Sequence, residues 1–252
     1  MNEARAVIAK GRVSGVVFDM DGVVTQTATV HARAWKRLFD DYLRERSERT
    51  GEPVVPFDSD DDYRLYVDGK ARYDGVRSFL QSRGISLPPG RPSDPPEAET
   101  VCGLGNRKNA LFLREVEEHG VLPYETTVEL IARLKAAGIA TAIISASENT
   151  TQVLEAAGVR ELFEAQVDGL VARELGLPGK PDPAVFIEAA RRIGIAPARA
   201  AVVEDALAGV EAGRRGGFAL VIGVDRTGHA DALREHGADV VVQDLAQVDV
   251  RA

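Results

Sequence analysis

Two carboxylates two residues apart, Asp19 and Asp21, follow the β-rich run Val16-Val17-Phe18 and precede Gly22. A strand that stops at an acidic, glycine-bearing turn places both acids at the strand's carboxyl end, where the chain can double back around an ion or a phosphate. One carboxylate could attack phosphorus and form an aspartyl-phosphate, which splits one difficult transfer into two easier ones. The other could protonate the leaving oxygen and deprotonate the incoming one. Taken alone, such a pair is equally a plain turn. Three further polar clusters also stand at strand ends or in turns: Ser145-Ala146-Ser147, Lys180 in Gly179-Lys180-Pro181, and Glu204-Asp205. In an open parallel sheet, ligands bind outside the carboxyl ends of the strands, so residues this far apart can converge.

Each cluster has a chemical use. Asp19, Asp21 (through its backbone carbonyl), Glu204 and Asp205 make a hard, oxygen-only set suited to Mg²⁺. Ser145, with the backbone N–H groups that follow it at the start of an expected helix, could hold phosphate oxygens. Ser147 could equally cap that helix. Lys180 supplies a point charge that can stabilise both carboxylates and a transferring phosphoryl group.

Positioning these groups requires an α/β framework. Short buried strands are predicted at Ile139 to Ser145, Ala200 to Glu204, Phe218 to Ile222 and Asp239 to Val242, alternating with helical patterns. That alternation predicts a Rossmann-like parallel sheet covered by helices. The first strand, near residue 17, needs that later sheet to pair with, so the intervening helical region is an insertion. The spacing of Trp35, Leu38, Phe39 and Tyr42 predicts a helix from His31 to Arg49 with one buried face. The acidic run Asp58 to Asp62 and the proline-rich stretch Pro88 to Pro96 are expected as loops. The expected division is a core of residues 1–27 and 119–252 and a helical cap of residues 28–118.

Composition excludes several classes. A chain of 252 residues, 44% apolar and 28% charged, reads as an ordinary globular protein. Its apolar runs are far shorter than the roughly 20 residues of a membrane span, and no signal peptide is apparent, so a cytoplasmic location is expected. A net charge of -8 argues against non-specific nucleic-acid binding. The single cysteine, Cys102, predicts neither an internal disulfide nor a zinc site. A monomer is expected.

The ordered set Asp19-Met20-Asp21-Gly22-Val23-Val24-Thr25, Ser145, Lys180 and Glu204-Asp205 resembles the haloacid dehalogenase superfamily over the whole chain, within it the β-phosphoglucomutase-like subfamily. The resemblance implies Asp19 as nucleophile, Asp21 as general acid/base, Ser145 and Lys180 as phosphate contacts, and Mg²⁺ held by Asp19, the Asp21 carbonyl and Asp205 with Glu204 in support. Thr27, His31 and Trp35 resemble that subfamily's hinge and first cap helix. Gly69-Lys70-Ala71-Arg72 resembles a cap loop whose arginine grips the non-transferring phosphate, and Arg107-Lys108-Asn109 is similar to a later substrate-contacting cap helix. Ala146, Ser147 and Asn149 would complete the phosphate loop, in which Glu148 stands where the family often carries lysine. Outside the resemblance, His31, Trp35 and Arg72 read as an exposed helix residue, a core residue and a surface cation. The implied substrate is a small sugar phosphate. The implied reaction interconverts β-D-glucose 1-phosphate and D-glucose 6-phosphate through an aspartyl-phosphate and a glucose bisphosphate, with a sugar-phosphate phosphatase as the alternative and a non-catalytic sensor as a more distant one.

Overall fold

A computed structural model describes residues 5–251; the outermost residues of the expected core, 1–4 and 252, lie outside the described residues. Two compact units divide the chain after Gln26 and after Gly120.

The first unit is built on strands whose sequences are apolar almost throughout. Strand β1 (Ala6–Ala9) comes first, then β2 (Gly15–Asp19), every residue of which is buried. After the inserted unit follow β3 (Ala140–Ile144), β4 (Ala165–Val167), β5 (Ala200–Glu204), β6 (Leu220–Val224), β7 (Val240–Val242) and β8 (Val248–Arg251). Six of them form one parallel sheet in the order β4-β3-β2-β5-β6-β7. Burial on both faces explains why runs such as Val16-Val17-Phe18 show no polar alternation. The order reverses direction at the β2/β5 pair, the chain having gone first to β3 and β4 and then back to β5. That switch point is where an open α/β sheet leaves a crevice at its carboxyl edge.

Two sheet features differ from the sequence expectation. Strands β1 and β8 form a separate two-stranded parallel sheet, Ala6 opposite Val248, whose members lie at opposite ends of the chain. The strand expected from Phe218 begins instead at Leu220, because the ladder with β5 starts there. Phe218 turns into the core against Phe186, ring centroids 6.1 Å apart.

The second unit is helical. Helix α1 (Ala28–Thr50) and helix α3 (Val101–His119) pack together, with α2 (Arg72–Ser82) and a π-helical turn at Tyr63–Val67 beside them. The buried stripe of α1, including Trp35, Leu38, Phe39 and Tyr42, is the one its spacing predicts. Phe39 is the hub of an aromatic cluster: its ring stacks on Trp35 and on Phe57, each with centroids 5.3 Å apart, and meets Phe79 at a tilt with centroids 4.0 Å apart. The acidic run is not simply a solvated loop. Asp58 accepts hydrogen bonds from the N–H groups of Asp60 and Asp61, and Asp62 is buried in an ion pair with Arg83. Among the described residues no helix is long and apolar enough to cross a membrane.

Helices α4 (Glu125–Ala136), α5 (Thr150–Ala156), α6 (Gly169–Leu175), α7 (Ala184–Arg192), α8 (Leu207–Arg215) and α9 (Ala230–Glu235) complete the first unit. Helix α7 packs on β2, β3 and β4 and carries Glu188, which accepts hydrogen bonds from Arg191 (2.7 and 2.8 Å) and Arg192 (2.9 Å). These bonds, those from Arg191 foremost, pull the Glu188 carboxyl down to about 2. A depressed carboxylate stabilises the fold above its ordinary value and loses that contribution as pH falls through the folded value. Glu188→Gln should lower the thermal midpoint by about 1–2 °C at pH 7. The difference from the parent should vanish as pH falls from 4.5 toward 2; a gap that persists at the acid end contradicts the assignment.

Candidate active site

Strand β2 delivers Asp19, buried, to the carboxyl edge, and the chain then folds back on itself. Met20 O accepts hydrogen bonds from Val24 N and Thr25 N, both at 2.9 Å, and from Thr25 Oγ1 at 3.2 Å, while Gly22 N donates to Thr25 O at 2.9 Å. Gly22 sits at φ +81°, a region that favours glycine. A Cβ there would also fall 1.8 Å from Asp205 Oδ2. Backbone strain and the collision act together. Gly22→Ala should cost roughly 1–3 kcal/mol in stability and lower kcat at least about 100-fold; a folded Gly22→Ala enzyme with full turnover would remove the turn from the mechanism.

Lys180, buried, donates to Asp19 Oδ1 at 2.6 Å and to Glu204 Oε1. It follows Gly179 at a cis peptide bond to Pro181. Burial alone would push the ammonium down, but Asp19 and Glu204 outweigh it and the Lys180 pKa rises. Asp19 is pushed well above the usual carboxylate range, first by burial and then by Glu204 and Asp21, against the opposing pull of Lys180.

Glu204 closes β5, and its Oε2 accepts the Ala206 N–H at 2.7 Å. Room for it comes from Gly209 on α8, where a Cβ would lie 1.7 Å from Oε1. Asp19, Glu204 and Asp205 bring one carboxylate oxygen each to within 4.8 Å of one another. Three carboxylates against one ammonium leave negative charge uncompensated, and every donor atom is a hard oxygen. Such a set fits a divalent cation of the Mg²⁺ or Ca²⁺ type.

Ser145 follows β3, donates from Oγ to Asp21 Oδ2 at 3.2 Å, and accepts the Ser147 N–H at 3.0 Å. Ser147 Oγ accepts the Asn149 N–H at 3.1 Å. The expected helix N-terminus at Ser145 is displaced: α5 begins only at Thr150, because these two hydroxyls fold residues 145–149 into consecutive tight turns. Gly169 closes the loop from behind, donating to Ser147 O at 3.0 Å, with its Cα so near Ala146 O that a Cβ would stand 2.7 Å away. Glu148 forms an ion pair with Arg173, which offsets its charge.

Of the predicted residues of the second unit, His31, Trp35 and Lys108 are brought together. Thr27 is buried ahead of α1 and its carbonyl accepts the His31 N–H at 2.8 Å. His31 stacks on Phe112 with centroids 4.1 Å apart, and Lys108 donates to His31 Nδ1. Because an ammonium only donates, Nδ1 is the acceptor and the neutral ring carries its proton on Nε2. Lys108 is buried, 4.9 Å from the Trp35 ring centre and 5.0 Å from that of Phe112. Phe112, four residues after Lys108 on α3, is a buried apolar residue that carries no polar signal in the sequence. Gly69 occupies a left-handed turn. Arg72 is not in a loop: it opens α2, with its guanidinium 5.1 Å from the Tyr73 ring centre. Arg107 is engaged with Glu45 at 2.9 Å.

This fold and this convergence of groups define a haloacid dehalogenase-like enzyme. The profile of the family described as "Hydrolase: haloacid dehalogenase-like hydrolase" matches residues 13–217. The chain belongs to that family, and it is an enzyme, a phosphotransferase. Among its relatives is a curated β-phosphoglucomutase of Mycobacterium bovis, 50% identical over 240 residues that cover 94% of this chain and 92% of that protein. A trehalose-phosphate phosphatase of Mycobacterium leprae is 41% identical over 133 residues, 51% of this chain and 29% of that protein. The crystal structure of a Clostridium difficile β-phosphoglucomutase shares the fold at a TM-score of 0.70 and 23% identity, covering 93% of this chain and 92% of that one.

Proposed function

We propose that the enzyme interconverts β-D-glucose 1-phosphate and D-glucose 6-phosphate, with Asp19 carrying the phosphoryl group. The observation that carries the chemistry is the Asp19 carboxylate at the β2/β5 switch point, gripped at 2.6 Å by Lys180 and set among further carboxylates. The 50% identity to a full-length β-phosphoglucomutase supports the narrower substrate.

In this reading a carboxylate oxygen of Asp19 attacks the phosphorus of a glucose bisphosphate. The P–O bond to the sugar breaks as Asp21 gives its proton to the departing oxygen. The glucose 6-phosphate so formed leaves and β-glucose 1-phosphate takes its place; Asp21 takes the proton from its 6-hydroxyl, and that oxygen attacks the phosphorus on Asp19, restoring the free carboxylate and a bisphosphate that turns over to present its 1-phosphate. Ser145, bonded to Asp21 Oδ2, orients that acid, and Lys180 stabilises charge on the phosphoryl oxygens. Asp19, the Asp21 carbonyl and Asp205 would hold Mg²⁺, with Glu204 bracing the set through Lys180 and Ala206. When bound, the ion supplies charge neutralisation at the transferring group. In this reading residues 28–118 are the cap, and Thr27, His31, Trp35, Gly69, Arg72 and Lys108 are the residues expected to supply sugar and distal-phosphate contacts. Ala146, Ser147, Asn149 and Lys180 contribute from the first unit. The substrate is a free sugar phosphate and the setting cytoplasmic and monomeric.

A phosphatase acting on a sugar phosphate is the second reading, favoured by the partial match to trehalose-phosphate phosphatase. The two differ only in whether a sugar hydroxyl or water accepts the phosphoryl group. Incubation with β-glucose 1-phosphate, Mg²⁺ and a glucose bisphosphate primer should yield glucose 6-phosphate with little free phosphate. Stoichiometric phosphate release without isomerised product would replace the mutase by the phosphatase.

A further inference from the structure

The turn that carries Asp21 is held by its carbonyls. Val23 O accepts Thr127 Oγ1 at 2.7 Å, and Val24 O accepts the Tyr124 N–H at 2.9 Å. Gly22 O accepts Arg226 Nε at 3.3 Å, and this third donor comes from the loop after β6, 204 residues away. Arg226 is itself fixed on three sides. Its guanidinium lies 3.9 Å from the Tyr124 ring centre, and Nη1 donates to Asp244 Oδ2 at 3.1 Å and to Gln243 O at 3.3 Å. Asp244 is anchored in turn, accepting Thr126 Oγ1 at 3.1 Å and the Ala246 N–H at 2.8 Å.

Gly22 is thereby pinned at both ends, its N–H on Thr25 O and its carbonyl on Arg226. Fixing both ends of one glycine fixes the plane of the preceding peptide, whose carbonyl is that of Asp21, and the closeness of Gly22 to Asp205. Glycine has no side chain to resist rotation, so at this residue hydrogen bonds hold the geometry. A planar guanidinium suits the task, since it can stack on Tyr124 while donating in two directions at once, as an ammonium cannot.

We propose that Arg226 is a positioning residue for the Asp21 turn: it acts through Gly22 O to hold the acid and the Asp21 carbonyl in register with Asp205. The inference rests on the catalytic reading of Asp19 and Asp21 given above. It is tested on the full-length enzyme with Arg226→Ala and Arg226→Lys, by measuring kcat and KM for β-glucose 1-phosphate with Mg²⁺ and bisphosphate primer, alongside thermal midpoints.

Arg226→Ala should lower kcat about tenfold while KM stays within about twofold, as expected of a misplaced reacting group rather than a lost substrate contact. Millimolar free guanidinium should restore part of the lost kcat, and Arg226→Lys should fall between. Unchanged kcat in both variants with only a lowered midpoint overturns the proposal, and so does a loss confined to KM. Should Arg226→Ala not fold, Arg226→Lys below its own midpoint decides on the same criteria. Asp19→Asn assayed in parallel separates the two levels. If Asp19→Asn is inactive and the Arg226 variants are fully active, only the positioning role fails; an active Asp19→Asn overturns the catalytic reading and this inference with it.

Discussion

Asp19→Asn should be inactive, with turnover reduced about 10⁴-fold or more, yet as stable as the parent or more so. Removing a nucleophile takes away the covalent route itself, and such losses are of that order. The stability half of the expectation follows from the site's electrostatics. Burial, Glu204 and Asp21 hold the Asp19 carboxyl well above its ordinary value against the pull of Lys180, so its charge is a burden on the fold. Asparagine keeps the shape without the charge and can still accept from Lys180 through its amide oxygen. Initial rates and thermal midpoints without added metal check both halves. An Asp19→Asn protein that melts many degrees lower would show that the carboxylate charge is needed to hold Lys180.

Lys180→Met should be the most destabilising single change at the site. It leaves Asp19 and Glu204 buried together without their shared cation, and breaking a buried pair by removing one partner costs about 3–5 kcal/mol. Asp19 and Glu204 raise the Lys180 pKa above its ordinary value despite burial. A raised lysine contributes its full stabilisation below the unfolded value and loses it only as pH climbs through the folded value, so the entire effect is present at neutral pH. Adding Glu204→Gln to Lys180→Met should recover part of the loss, since it removes one of the stranded charges. Urea unfolding of the two variants reads this directly. A loss under about 1 kcal/mol would place the pair in a far wetter setting than the geometry indicates.

The parts legible from sequence are those with a local signature. Val16-Val17-Phe18 running into Asp19 reads as a buried parallel strand ending in a turn, and β2 is one; the spacing of Trp35, Leu38, Phe39 and Tyr42 reads as the α1 stripe. What escaped depends on distant partners. Strand β1 has no meaning until Val248–Arg251 lies beside it, and β4, three residues with polar Gln166 at its centre, carries too short a pattern to register. Asp62 in an acidic run reads as solvated until Arg83, 21 residues on, buries it. Asp225-Arg226-Thr227-Gly228 reads as an ordinary polar turn, and only the parallel order of the sheet brings Arg226 to Gly22. Asp19, Ser145 and Glu204 were legible as a set because each stands where a strand reaches the same edge, and Lys180, in the loop between α6 and α7, only by its company with them, whereas the Lys108–His31 contact requires α1 and α3 to be packed first.

Asp19 carries the phosphoryl group in this mechanism, and trapping that group shows it. The enzyme would be incubated with Mg²⁺ and glucose bisphosphate, quenched in acid, reduced with borohydride, which converts an acyl phosphate to the alcohol, and mapped by peptide mass spectrometry. Homoserine at position 19 and unmodified Asp21 is the expected result; phosphate retained on Ser145 or another residue, with position 19 unchanged, would contradict it.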